Sequence, residues 1–132
     1  MEEILRKIGI SDNTIEQMEE ICPNIKELEA KEILEKIEIL KNIKCDEIQI
    51  RNIISSNAQY LDRSNTDIEK LIKKLEELGF DTLNILFDGN PYILNLDDYE
   101  IENYIKKRED KGELLEDIVD DMSSNPYIFQ EI

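Results

Sequence analysis

Residues 123–129 read SSNPYIF, residues 88–94 read DGNPYIL, and residues 55–61 read SSNAQYL. One heptapeptide appears three times, at steps of 33 and 35 residues, and this decides the architecture. The spacing also holds outside the heptapeptide. Pro23, Ala58, Pro91 and Pro126 share one column, preceded by Cys22, Asn57, Asn90 and Asn125. Two positions after it come Ile25, Tyr60, Ile93 and Ile128. A second block aligns Ile33, Ile37 and Leu40 with Ile68, Ile72 and Leu75, then with Ile101 and Ile105. A third keeps Ile15, Ile50, Leu83 and Ile118 in register. Several columns with one period of this length are the mark of a helical repeat array.

Each column has a chemical reason. An asparagine oxygen caps a helix, and proline at the first helical position gives up a donor that had no partner there. Each Asn-Pro is therefore expected to open a short helical turn whose Tyr, Ile and Leu point inward, with Tyr92 and Tyr127 in core or half-buried packing. The next helix announces itself through capping boxes, Ser64 with Asp67 and Asp97 with Glu100. Its apolar residues then recur at i, i+4 and i+7, the stripe of a helix with one buried face. Gly9, Gly79 and Gly112 stop helices where the chain must turn left-handed, and Lys44 stands where the pattern asks for a glycine. A following helix begins at Asp46 or Asp81 and runs to the next proline turn.

The chain thus reads as one all-α domain over 1–132. Its units span about 8–43, 44–78, 79–111 and 112–132, each a long helix, a tight turn, a second helix and a short helical turn. Tetratricopeptide repeats share the length but need small residues where helices cross, and two alanines are too few. The NPYIL and NPYIF turns, the I-x-x-x-I helix and the LEELGF step resemble the repeats of mitochondrial transcription termination factors, the mTERF family. The resemblance covers about residues 8–132. It implies a right-curving α-solenoid of about three and a half repeats of 33–35 residues, and a nucleic-acid-binding activity. Ala58 in place of proline, Lys44 in place of glycine, and KREDKGE in place of an apolar helix end depart from the family pattern.

The charge points elsewhere. Sixteen basic against 32 acidic residues leave −16, which repels nucleic acid and attracts cationic surfaces at long range. The chain still folds, because Ile, Leu, Val and Phe make up 41 of 132 residues. The terminal segments 1–25 and 113–132 carry −4 and −6. Glu113, Glu116, Asp117, Asp120 and Asp121 form an acidic ridge on the last full helix, and Glu16, Glu19 and Glu20 a lesser one near the start. Such runs are solvated caps of a repeat array, or they dock a basic protein. Thirteen of the 16 basic residues lie in 26–44, 62–78 and 95–112. Lys73 and Lys74 align with Lys106 and Lys107, next to Arg108, as a stripe for a phosphate backbone would require. The competing expectation pairs them at i±4 with Glu69, Glu102 and Asp110.

Catalysis finds little support. The absence of histidine removes Ser-His-Asp and Cys-His chemistry and every imidazole zinc site. Cys22 and Cys45 form no C-x-x-C pair and read as small buried apolar residues. Asp97–Asp98 and Asp120–Asp121 are adjacent on helices and do not face one another. No glycine-rich loop precedes a helix, and DTLNILFDG lacks calcium-loop spacing. No run of eighteen apolar residues occurs, and the start lacks a signal-peptide pattern. The reading is a non-catalytic cytoplasmic binding module with no cofactor or metal, a monomer or weak homo-oligomer. Its expected partner is a protein with a basic surface, in an inhibitor, immunity or regulatory role. The alternative is nucleic acid bound through Lys73, Lys74, Lys106, Lys107 and Arg108.

Overall fold

The computed structural model describes all of residues 1–132. It is built of helices and turns without a strand and divides into two compact units, Met1–Asn65 and Thr66–Ile132.

The first unit runs α1 (Glu2–Lys7), α2 (Asp12–Ile21), a 3-10 turn (Pro23–Glu27), α3 (Ala30–Asn42), α4 (Glu47–Ser56) and α5 (Gln59–Asp62). Local chemistry sets the boundaries. Ser11 Oγ caps α2 by accepting from the Thr14 N–H, and Asp46 with Gln49 forms a reciprocal capping box at the start of α4. Glu32 closes a similar box on Glu29. Leu5, Ile25, Ile33, Leu40, Ile53, Ile54 and Tyr60 are fully buried and make the core. α5 is the second proline-type turn; with Ala58 in place of proline it is a single α turn instead of a 3-10 one.

The second unit contains α6 (Asn65–Leu78, entered from the last residue of the first unit), α7 (Leu83–Gly89), a 3-10 turn (Pro91–Asn95), α8 (Asp98–Asp110), α9 (Leu115–Ser124) and a 3-10 turn (Pro126–Glu131). The Asp97–Glu100 box opens α8. The core holds Ile68, Leu71, Leu75, Phe87, Ile93, Leu94, Ile101, Ile118, Met122 and Phe129, with Phe80 and Phe129 rings 5.8 Å apart. α7 begins two residues later than the aspartate signal places it, because Thr82 adopts a left-handed conformation at φ 47°.

The joints follow the repeat. Gly9, Gly79 and Gly112 all have φ between 95° and 102°, and Lys44 adopts the same left-handed form at φ 76°. The geometry of the joint is kept where its usual residue is not.

The asparagine column behaves differently from expectation. Neither Asn90 nor Asn125 caps its turn through its side chain. Asn90 is 3% exposed, and its Nδ2 donates to the Pro126 carbonyl at 3.0 Å, in the following turn. One turn is stitched to the next. In the first unit Asn24 Nδ2 donates to Asp62 Oδ2 at 3.3 Å, again from one turn to the following one. Tyr92 and Tyr127 also depart from expectation: they point outward, 38% and 63% exposed. The inward tyrosine is Tyr60, in the isoleucine column, whose hydroxyl donates to the Lys36 carbonyl at 2.6 Å.

Candidate binding surfaces

Two surfaces were marked by the sequence, and one residue links them. Arg108 belongs to the cation stripe, yet its guanidinium faces the acidic ridge. Nε and Nη2 donate to the two Glu113 carboxylate oxygens at 2.9 and 2.6 Å, and Nη2 also donates to Asp121 Oδ2 at 2.9 Å. The head lies 5.9 Å from the centre of the Tyr104 ring, and the Tyr104 hydroxyl donates to Glu131 Oε2. Glu113 lies below its usual carboxylate range because of Arg108, and the same hydrogen bonds hold the guanidinium above its ordinary value.

The repeat columns explain why the pair sits there. Arg108 occupies the column of Leu40 and Leu75, and Asp121 that of Ile53 and Leu86. The four earlier residues are buried and apolar. In the last unit an ion pair stands where earlier units have two apolar side chains. Arg108 is thus occupied on its own carboxylates, and Glu113 and Asp121 are held by it. Of the ridge, Glu116, Asp117 and Asp120 are exposed on α9 and enter no ion pair.

The stripe divides in the same way. Lys74 Nζ lies 3.9 Å from Glu77 and 3.6 Å from Glu102, spanning α6 and α8. Lys73, Lys106 and Lys107 are exposed and enter no ion pair, so the expected i±4 pairing does not account for them. Lys73 and Lys74 line a surface cleft of about 280 Å³ with Lys70, Glu77 and Asp98. Outside the repeats' second half, exposed aromatic surface is absent. Tyr92, Tyr99 and Tyr127 all belong to the second unit.

Sequence reasoning missed Lys36, the one buried charged side chain. It is 5% exposed, and its Nζ donates to Asn65 Oδ1 at 2.6 Å, while Asn65 Nδ2 donates to Glu35. Burial pulls its ammonium pKa down against the opposing pull of Glu32, Glu35 and Asp62. Lys36 borders a cleft of about 330 Å³ with Glu32, Glu35, Asp62, Arg63 and Asn65. The only advance signal was a lysine interrupting the buried stripe between Ile33 and Ile37.

Chemistry that needs an activated nucleophile is poorly served. Cys22 and Cys45 are buried free thiols, and burial raises the Cys22 thiol. Ser55 Oγ donates to the Arg51 carbonyl, an ordinary back-bond within its helix. No three His, Cys, Asp or Glu side chains converge in a metal-ligating arrangement. No helix is long and apolar enough to cross a membrane.

Helix pairs joined at left-handed corners and stitched through proline turns define a helical-repeat protein. The mTERF family model matches residues 2–87, and the chain belongs to that family. No curated protein matches the chain.

Proposed function

We propose that this mTERF-family chain is a non-catalytic cytoplasmic binding module for a protein partner with a cationic surface. The observation that carries this reading is how the charges are engaged. The chain holds −16, and two of the five stripe cations, Lys74 and Arg108, are already committed to its own carboxylates. Phosphate contacts supply most of the affinity of a nucleic-acid binder, and the stripe keeps three of its five cations, Lys73, Lys106 and Lys107, outside the chain's own ion pairs. Glu116, Asp117 and Asp120 present an unneutralised acidic face.

A second reading, nucleic-acid binding, is favoured by two observations. Lys73, Lys106 and Lys107 are free, and Tyr92, Tyr99 and Tyr127 are exposed in the same unit. Exposed aromatics and lysines are what a single strand uses for stacking and phosphate contact.

One pair of titrations separates the two. The chain is titrated with labelled single- and double-stranded DNA and RNA at about 50 mM salt, where phosphate contacts are strongest, and with a labelled oligolysine peptide. The protein reading expects oligolysine binding that Asp117→Lys with Asp120→Lys weakens more than Glu16→Lys with Glu19→Lys does, and no nucleic-acid binding. Salt-sensitive nucleic-acid binding that Lys73→Glu with Lys106→Glu removes would overturn it.

A further inference from the structure

A small pocket of about 140 Å³ opens in the first unit, where α1 and α4 both pack on α3. The last turn of α1 brings Lys7, with Ile8 just beyond it, and α3 brings Ile37 and Lys41. The first turn of α4 brings Glu47 and, one turn on, Ile50. Ile37 and Ile50 are buried and Ile8 is half-buried, so three branched apolar side chains make the floor. Lys7, Lys41 and Glu47 are exposed and make the rim. Opposite charges share this rim, yet none of the three enters an ion pair or a side-chain hydrogen bond.

The repeat columns separate what the fold requires here from what it does not. The floor positions stay apolar further along the chain: Ile8 is followed by Ile43 and Leu78, Ile37 by Ile72 and Ile105, and Ile50 by Leu83 and Ile118. The rim positions do not keep their lysines. Lys41 has Glu76 and Glu109 in its column, and Lys7 has Asn42, Glu77 and Asp110. In a chain carrying −16, two cations stand at one pocket mouth where later units place carboxylates or an amide. Packing accounts for the isoleucines and gives no reason for the lysines.

We propose that this pocket binds a free aliphatic α-amino acid of about the size of leucine. An apolar cavity of about 150 Å³ takes a benzene molecule, so the isoleucine floor has room for an isobutyl side chain. The ligand carboxylate lies between the Lys7 and Lys41 ammonium groups, each donating a charge-assisted hydrogen bond, and the α-ammonium donates to the Glu47 carboxylate. A plain carboxylic acid would leave Glu47 facing like charge, and a plain amine would leave both lysines without an acceptor. The zwitterion satisfies all three. No residue of the pocket belongs to the acidic ridge or the lysine stripe, so its occupancy is independent of any macromolecular partner. A ligand this small on an open rim is expected to bind with a Kd of about 1 mM.

Methyl-resolved NMR of the full chain, labelled at the isoleucine δ1 methyls and titrated with L-leucine, tests it. The expected result is saturable shifts of the Ile8, Ile37 and Ile50 signals, assigned from Ile8→Val, Ile37→Val and Ile50→Val chains. Lys7→Asn with Lys41→Glu, which writes residues of the later units onto the rim, raises the Kd at least about tenfold and leaves helical circular dichroism unchanged. The leucine analogues 4-methylpentanoate, which lacks the ammonium, and 3-methylbutylamine, which lacks the carboxylate, each bind at least about tenfold more weakly. Glu47→Gln removes the advantage of leucine over 4-methylpentanoate. Absence of saturable shifts at these methyls up to about 20 mM leucine, leucine binding untouched by the lysine variant, or 4-methylpentanoate binding as tightly as leucine, overturns the proposal.

Discussion

Replacing Lys44 by glycine is expected to stabilise the protein. The residue sits at φ 76°, in line with the three glycine joints, and is exposed, so its side chain gives up no packing on removal. A left-handed conformation costs an L-residue roughly 1–2 kcal/mol that glycine does not bear. Glycine also frees the unfolded chain by about 0.4–1 kcal/mol, which acts the other way. The net gain is roughly 0.5–1 kcal/mol, a rise in melting temperature of about 2–4 °C for a chain of this size. Lys44→Ala supplies the control, since it removes the charge near the end of α3 but keeps the strained backbone. The difference between the two variants isolates the joint. Gly79→Ala is the mirror experiment. A methyl there meets nothing within 4 Å, so its cost is the backbone alone, about 0.5–1 kcal/mol of destabilisation. Gly9→Ala carries the same backbone cost and also requires the Arg51 side chain, 3.1 Å from the new methyl, to shift by a few tenths of an ångström. Urea unfolding followed by circular dichroism reads all four, with midpoints moving at constant slope. If Lys44→Gly is no more stable than Lys44→Ala while Gly79→Ala loses stability, the second joint does not share the conformation of the others.

Four further outcomes follow from particular contacts. Tyr60→Phe removes the buried bond to the Lys36 carbonyl and is expected to lower unfolding free energy by about 1 kcal/mol in urea titration. Asn90→Ala unpairs the Pro126 carbonyl and costs about 1 kcal/mol by the same measurement, whereas Asn125→Ala, with no such bond, costs the fold little. Lys36 is held below its ordinary 10.5 by burial. Between its folded and unfolded values the unfolded chain binds more protons, so this group's contribution to stability rises with pH across that window. Lys36→Met should flatten that rise in unfolding curves taken from neutral to alkaline pH. Arg108→Leu and Asp121→Leu each leave charges without their partner and lower the melting temperature. The double variant puts two apolar side chains where the earlier units have them and, with Asp121 half exposed and Glu113 still present, returns to within about 1 kcal/mol of the parent. A double variant worse than both singles would show that these positions are not equivalent to Leu75 and Leu86.

The repeat was legible because helix joints and turns are enforced locally. A glycine at a left-handed corner, a proline at the first helical position and a capping box each act within a few residues, so their spacing carries the fold. Lys44 was read as a departure from the glycine pattern, yet the chain turns left-handed there too. The asparagine column was read as caps for the same local reason, and that reasoning failed at Asn90. Its side chain is held by a carbonyl 36 residues away, a partner that no local rule supplies. The tyrosines beside the prolines were misplaced because a spacing repeated within the chain says that a position is used, and not which way it faces. The candidate surfaces were legible only as composition. That Arg108 reaches back to Glu113 and Asp121 depends on α8 and α9 lying side by side, and this pairing removes one cation and two anions from the surfaces the sequence had offered.

Tyr60 gives the first unit a built-in optical reporter. The chain has no tryptophan, and the other four tyrosines, Tyr92, Tyr99, Tyr104 and Tyr127, lie in the second unit. Burial lifts the Tyr60 phenol far above its ordinary ionisation, so in alkali its ultraviolet absorbance shifts only when the ring is released to solvent. Tyr99 and Tyr104 are raised as well, so the part of the late step in an alkaline spectral titration that Tyr60→Phe removes records the opening of the core around Tyr60 without any label.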